Sequence, residues 1–318
     1  MIEADKLSKY FGERAAIRDL TFSIASGEVV GFLGLNGAGK TTTLRILACL
    51  LLPTSGTVRV DGVEVSEDPY AIRRMIGFLP DVPPLYPEMT VGAFLLFAAR
   101  LRQVPALLAE ARVAEAEEKT ALRDMHDEVI GELSHGYRQR VGLAQSIVHK
   151  PALLILDEPA AGLDPAQIME MRNLLRGLRG EHTVLISSHF LTEISQTCDR
   201  LLVIHGGELV GQGSEAELAS AMGTGGVILE AEVRGQPQGI VARLAELPSV
   251  TRARGRDTED GSTVFEIAAG ADVRAEVART LVGAGCDLLR LERNASRLES
   301  IFMNLTKQPG GGAAGEAP

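Results

Sequence analysis

Apolar stretches alternate with helix-period segments over the first two thirds of the chain. Mostly apolar runs occur at residues 28–33, 152–156 and 183–186, and such runs are typical of strands buried in the centre of a parallel sheet. Residues 42–51 and 165–178 instead carry apolar positions at helical spacing. Because strands and helices alternate, we predict an α/β fold with a mainly parallel sheet for this part of the chain.

The segments between these runs predict two smaller units. Residues 1–26 alternate between polar and apolar positions, which favours antiparallel strands, and residues 57–60 predict a strand that enters a hairpin. Residues 74–79 predict a further strand, ended by Pro80. Residues 88–150 have helical periodicity. We therefore expect an antiparallel β-subdomain and a helical subdomain beside the parallel sheet.

The pattern starts again after a glycine-rich segment at residues 222–226. From there it predicts the order β-α-β-β-α-β, which is the ferredoxin-like arrangement. We therefore predict one domain at residues 1–222 and an α+β accessory domain at residues 223–306, the latter closed by an amphipathic stretch at 298–305. Residues 307–318, rich in Gly, Ala and Pro, predict a disordered tail.

Composition narrows the classes of function. The 318 residues carry a formal net charge of -10 without any Lys/Arg block, which disfavours nucleic-acid binding through phosphates. Three widely spaced cysteines predict a reducing compartment. No apolar stretch approaches the roughly 18–20 residues that span a bilayer, and the N-terminus lacks the features of a signal peptide. We expect a cytoplasmic protein that reaches a membrane only through a partner.

The sequence GLNGAGKTT at residues 34–42 matches the phosphate-loop pattern GxxxxGK[ST]. It stands between a predicted strand and a predicted helix, where backbone N–H groups and the helix dipole favour an anion. Lys40 would add a positive charge for the outer phosphates, and the Thr41 hydroxyl could bind Mg2+. We predict a nucleoside triphosphate site with contacts from Gly34, Asn36, Gly37, Ala38, Gly39, Lys40, Thr41 and Thr42.

A second group of candidate residues follows the later buried strands. Asp157 and Glu158 end the strand at 152–156, at the edge of the sheet where open α/β folds bind ligands. Asp157 would hold Mg2+ together with Thr41, and Glu158 would orient and activate the attacking water. His189 follows the next strand and could touch the outer phosphate or the water. The remaining histidines are predicted to be structural: His126, His135, His149, His182 and His205.

A further anion site is predicted where Ser134 and Gly136 open a helix. Two phosphate-binding helix ends in one chain suggest that this one serves a nucleotide held mainly by another copy. Taken alone, Ser134 is better explained as an ordinary N-cap.

Together these motifs resemble an ATP-binding cassette (ABC) transporter nucleotide-binding subunit over residues 1 to about 220. Walker A corresponds to 34–42, Walker B to 153–157 followed by the catalytic Glu158, the signature to 133–137 and the D-loop to 161–164. His189 corresponds to the switch histidine. The resemblance further implies that Tyr10 stacks on adenine and that Asp164 takes part in the nucleotide site.

The resemblance implies a P-loop ATP hydrolase that forms a head-to-tail homodimer on two Mg-ATP. Each ATP would be held by one Walker A and by Ser134 and Gly136 of the opposite copy. Closure and reopening would drive a separate polytopic permease. Two departures stand out: Asp81 occupies the position of the Q-loop glutamine, and His135 and Tyr137 replace the usual signature glycine and glutamine.

Residues 79–91, 136–140 and 298–306 resemble the ABC-2 type exporter branch, which includes drug exporters and gliding-motility-like subunits. One alternative is a soluble ABC ATPase that acts on DNA or ribosomes, although neither paired cassettes nor a long coiled-coil insertion is visible. Another is a nucleotide sensor without turnover. Only Asp81 favours the sensor, and the set Lys40, Asp157, Glu158 and His189 argues against it.

Overall fold

The computed structural model describes residues 1–189, 194, 197–214, 217–218, 227–235, 239–258 and 261–293. The chain divides into two compact units, Met1–Gln212 and Gly213–Lys307. The domain boundary expected after residue 222, the glycine-rich segment at 222–226, the amphipathic stretch at 298–305 and the tail at 307–318 lie outside the described residues.

Ten strands form two sheets within the described part of residues 1–213. One sheet contains β1 (Ile2–Phe11), β2 (Arg14–Ile24), β4 (Ser55–Val60) and β5 (Val63–Glu64), in the order β2-β1-β4-β5 with antiparallel pairing. The other contains β3 (Val29–Leu33), β6 (Ile76–Leu79), β7 (Leu153–Asp157), β8 (Thr183–Ser188), β9 (Arg200–His205) and β10 (Glu208–Gly213), in the order β10-β9-β3-β8-β7-β6.

The central strands of the second sheet are parallel and fully buried. Every residue of β3, β7 and β8 is buried, as expected of strands covered on both faces. Leu33 pairs with Ser188, and Asp157 pairs with Ser187. The predicted parallel sheet is thereby confirmed, and the carboxyl ends of three neighbouring strands meet at one edge.

Helices that are described in full accompany these sheets. They are α1 (Lys40–Leu47), α2 (Pro69–Met75), α3 (Val91–Leu101), α4 (Ala106–Lys119), α5 (His135–Ile147) and α6 (Pro165–Gly177), with short 3-10 turns at Arg123–Met125 and Ile130–Glu132. Helices α3, α4 and α5 share an apolar cluster that includes Leu95, Val113 and Leu143. This helical region continues into the core of the parallel sheet through Leu154 and Ile186.

Two predicted boundaries are wrong. The helix expected over residues 42–51 ends at Leu47, because Cys49 adopts the left-handed conformation (φ 56°) and Leu50 N donates to Arg45 O at 2.8 Å. The strand expected over 74–79 begins only at residue 76, since α2 extends through Met75. Asp68 caps that helix by accepting from Ala71 N, and a proline occupies its first turn.

From residue 227 onward, the described part of the second unit consists of an antiparallel sheet and two helices. Its elements are β11 (Val227–Arg234), α7 (Ile240–Ala245), β12 (Val250–Asp257), β13 (Ser262–Ala269), α8 (Arg274–Gly283) and β14 (Asp287–Arg293). The strand order is β12-β13-β11-β14. Side chains of both helices and of one sheet face form its core, including Leu229, Leu244, Phe265 and Leu281. This is the predicted β-α-β-β-α-β arrangement.

A buried histidine makes the stability of the first unit depend on pH. His149 Nε2 lies 3.1 Å from Ile76 O, and because a carbonyl only accepts, this nitrogen carries the proton of the neutral ring. Burial, reinforced by the positive charge of Arg102, lowers the pKa of His149 from 6.5 to about 4 against the opposing effect of the Ile76 bond. As the pH falls, His149 therefore gains its second ring proton at a higher pH in the unfolded chain than in the folded protein.

We predict that His149→Gln reduces the loss of stability in acid. In the wild type, the contribution of neutral His149 to stability is complete above pH ~6.5 and is lost towards pH ~4. The free energy of unfolding should therefore fall by roughly 2–3 kcal/mol more in the wild type than in the variant between pH 7.5 and 4.5. Gln keeps a donor for Ile76 O. Urea titrations followed by circular dichroism measure both values, and equal losses in the two proteins would contradict the assignment.

Candidate functional site

The loop between β3 and α1 is shaped by glycines that no other residue could replace without strain. Gly37 and Gly39 have φ values of 81° and 106°, and a Cβ on Gly39 would lie 2.6 Å from Ala16 O. Ala38 N donates to Leu35 O at 3.1 Å within the loop. The loop leads directly into the first turn of α1, where backbone N–H groups are available to an anion.

An open cleft of about 630 Å³ lies against this loop. Most of the predicted phosphate-loop residues line it: Asn36, Gly37, Gly39, Lys40, Thr41 and Thr42. Gly34 and Ala38 do not. A Cβ on Gly34 would lie 2.7 Å from Ile204 O, and Ala38 is buried. These two residues support the loop from behind.

Lys40 is a buried cation with three oxygen partners, of which Leu35 O is the most distant at 3.5 Å. Its Nζ lies 2.8 Å from Gly34 O and 3.1 Å from Glu158 Oε1, and only 5% of the side chain is exposed. A phosphate entering the cleft would compete with Glu158 for this ammonium group.

Asp157 connects α1, β7 and β8. Its Oδ1 accepts from Ser187 Oγ at 2.7 Å and from Thr41 Oγ1 at 3.3 Å. Burial raises the pKa of Asp157, the two hydrogen bonds oppose this shift, and the charges of Glu158 and Asp81 add to it. A buried carboxylate beside a hydroxyl offers the hard oxygen ligands that Mg2+ prefers. The residues present therefore fit the predicted metal.

Glu158 meets the other predicted catalytic residues. Its Oε2 lies 2.8 Å from His189 Nδ1 and its Oε1 contacts Lys40. The backbone at Glu158 is left-handed (φ 50°), and its N–H donates to Ser187 Oγ at 2.9 Å. A non-glycine residue keeps such a conformation only when its surroundings hold it. Ser187 provides that support, and sequence reasoning missed it.

The predicted adenine contact does not lie at the cleft. Tyr10 is not among the lining residues, whereas its neighbour Phe11 is, together with Arg14. Successive side chains of a strand point to opposite sides, so the single-residue difference decides which aromatic ring faces the cleft. Tyr10 N donates to Thr54 Oγ1 at 3.0 Å. The structure thus offers Phe11, 55% exposed, as the stacking surface.

Ser134, Gly136 and Asp164 do not line the cleft of their own chain. Ser134 caps α5 by accepting from Tyr137 N, and Asp164 caps α6 by accepting from Gln167 N. Gly136 is buried, and a Cβ there would lie 2.9 Å from the Gln167 side chain. The predicted signature and D-loop do touch each other, because His135 Nε2 lies 3.1 Å from Ala161 O, and Ala161 lines the cleft.

Asp81 lies in the cleft with the predicted catalytic residues. It lines the same cavity as Lys40, Thr41 and Glu158, and its backbone oxygen accepts from Gln139 Nε2 at 3.1 Å. Residues far apart in sequence are thereby gathered around the end of the phosphate loop.

Comparison with known proteins identifies the family of this chain. Residues 17–161 match the family described as ABC transporter. The uncharacterised ABC transporter ATP-binding protein YxlF of Bacillus subtilis (strain 168) is 34% identical over 308 residues, covering 96% of this chain and 99% of that protein. The chain belongs to the ABC transporter ATP-binding proteins.

Two further relatives bear on what this ABC protein does. Nod factor export ATP-binding protein I of Paraburkholderia xenovorans (strain LB400) is 35% identical over 309 residues, covering 96% of each chain. A dimeric, post-hydrolysis ATP-binding cassette bound to ADP and Pi superposes with a TM-score of 0.62 at 25% identity, covering 67% of this chain and 98% of that one.

The ABC protein is therefore an ATP-binding and ATP-hydrolysing subunit of a transporter, with the P-loop NTPase fold of ABC nucleotide-binding domains. Within the part of the chain that the structure describes, no helix has the length and apolarity that crossing a bilayer requires.

We predict that Phe11→Ala weakens ATP binding while Tyr10→Ala leaves it near the wild-type value. Loss of a base–aromatic contact costs about 1–3 kcal/mol, or roughly a fivefold to hundredfold rise in Kd. Titration with a fluorescent ATP analogue measures both variants, and each serves as the control for the other. If Tyr10→Ala raised the Kd and Phe11→Ala did not, Tyr10 would be the residue that stacks on the base.

Proposed function

We propose that this chain is the energising subunit of an ABC-2 type exporter. In this proposal it lies in the cytoplasm on the inner face of the cell membrane, held there by a separate polytopic permease. The printed export role of the Paraburkholderia relative supports the exporter assignment, as do the ABC-2-like residues 79–91 and 136–140. The observation that carries the proposal is that Glu158 contacts both Lys40 and His189, next to Asp157.

In this proposal, each residue of the site has a separate role in ATP hydrolysis. Asp157 and Thr41 would hold Mg2+, which neutralises charge on the phosphate oxygens when it is bound. Lys40 would exchange the Glu158 carboxylate for the outer phosphates. Glu158, still bonded to His189, would then be left to orient the attacking water and accept its proton. No covalent intermediate is required, because phosphoryl transfer depends mainly on positioning and charge.

The site is completed by a second copy in this proposal. Ser134 is exposed at the N-terminus of α5 and lies outside its own cleft, although a hydroxyl at a helix N-terminus suits a phosphate. A head-to-tail homodimer would bring Ser134 and Gly136 of one copy to the nucleotide of the other. The dimeric arrangement of the related cassette with ADP and Pi supports this step.

We predict that Glu158→Gln forms a stable dimer in Mg-ATP, because the cleft keeps its phosphate contacts but loses the group that activates water. Lys40→Ala, which lacks the buried ammonium, should bind ATP at least tenfold more weakly and remain monomeric. Size-exclusion chromatography with light scattering distinguishes these states. A Glu158→Gln chain that turns over ATP at the wild-type rate, or stays monomeric both alone and with its permease, would overturn the proposal.

A second cleft offers a place for the permease. This arginine groove, of about 560 Å³, is lined by Arg45, Arg73 and Arg102 together with the apolar Leu50 and Phe78. None of its lining residues in the described part of the chain is acidic, although the chain as a whole carries a net charge of -10. The complementary partner is an amphipathic cytoplasmic segment of the permease that carries carboxylates.

The arginine groove is connected to the ATP cleft through one short segment. Phe78 and Pro80 line the groove, and Asp81, the next residue, lines the ATP cleft. A partner seated on β6 would therefore be one residue away from the nucleotide site. We propose that closure of the cleft is transmitted to the permease along this path.

We predict that Arg45→Glu weakens permease binding without affecting ATP binding, because it places a negative charge opposite the carboxylates of the partner. Arg74→Glu is the matched control: both arginines are exposed in the last turn of a helix, so both changes carry the same helix-dipole cost, but Arg74 does not line the groove. Copurification from membranes should fall severalfold for Arg45→Glu alone. Equal recovery of the permease with both variants would exclude this groove.

A further inference from the structure

Asp81 is placed to act on the nucleotide through its charge. It follows β6 after a single proline and lines the cleft together with Lys40, Thr41 and Glu158. The family resemblance would supply a neutral glutamine here, whereas this chain carries a carboxylate. Its consequence depends on which charges surround it.

The backbone of Asp81 is fixed by a buried side chain. Gln139 of α5 is 1% exposed and donates its Nε2 to Asp81 O at 3.1 Å. Because the carbonyl oxygen receives this bond, Asp81 has a defined position between β6 and α5. The backbone that carries the carboxylate is therefore held beside the cleft.

Among the described residues of this site, carboxylates outnumber cations. Asp81 and Glu158 line the cleft with a single lysine, Lys40, which already contacts Glu158 at 3.1 Å, and Asp157 lies beside the cleft through its hydrogen bond with the lining residue Thr41. His189 contacts the same glutamate. The other cation of the cleft, Arg14, lines it with Phe11 at the end of the β1–β2 hairpin.

We propose that Asp81 makes nucleotide binding conditional on a divalent cation, by repelling ATP that lacks one. Free ATP brings the full charge of its phosphates to a site with surplus carboxylates, whereas a divalent cation removes two of those charges and attracts the same carboxylates. Asp81 is then a specificity-determining residue that admits the metal complex and rejects the bare nucleotide. This inference rests on the ATP site of the proposed function.

The test compares nucleotide affinity with and without metal. Kd for a fluorescent ATP analogue is measured for the full chain in MgCl2 and in EDTA. The readout is the Kd in EDTA divided by the Kd in MgCl2. Asp81→Asn should lower this ratio about tenfold relative to the wild type, chiefly through tighter binding in EDTA, because it removes one unit of negative charge near the phosphates.

Asp61→Asn is the matched control. Asp61 is exposed in the turn between β4 and β5 and does not line the cleft, so this variant makes the same chemical change at a distance and should keep the wild-type ratio. An unchanged ratio in Asp81→Asn, or an equal change in Asp61→Asn, would overturn the inference while leaving the ATPase intact. A wild type that binds ATP in neither buffer would instead contradict the proposed function.

Discussion

The hydrogen bonds of one buried carboxylate hold the site together. Asp157 accepts from Thr41 and Ser187, which connects the helix after β3 to the ends of β7 and β8. The parallel register makes this possible, because Asp157 and Ser187 are paired on neighbouring strands. A shift of one residue in either strand would turn one of these side chains to the opposite face. The nucleotide site therefore depends on the register of the sheet.

Among the described residues, the same arrangement gives the site more carboxylates than cations. Lys40 is shared between Gly34 O and Glu158, and burial disfavours the charged form of Asp157. These carboxylates and the lysine favour a ligand that brings both a cation and phosphate oxygens. Binding energy and catalysis thus originate from the same imbalance: the nucleotide takes over Lys40, and Glu158 becomes available to water.

Contiguous motifs could be predicted from sequence because their geometry is local. The phosphate loop needs left-handed glycines, and α6 begins where Asp164 caps it; both signals are present in the sequence itself. Ser187 could not be found in this way, since its role follows from pairing across strands. Its only sequence signal was its place at the end of the buried strand before His189.

The choice between Tyr10 and Phe11 depended on which side of β1 faces the cleft, which the motif did not specify. The end of α1 was misjudged because nothing in a leucine-rich pattern indicates that Cys49 turns left-handed. The surplus charge around Asp81 likewise appears only when β6 and β7 lie side by side.

The central claim is that the edge of β3, β7 and β8 is the ATP site, and a structure of the chain with Mg2+ and a non-hydrolysable ATP analogue tests it most directly. The account predicts outer phosphates on Lys40, the metal on Thr41 and Asp157, and the base against Phe11. A nucleotide bound elsewhere, or bound in this cleft with Lys40 still paired to Glu158, would contradict it.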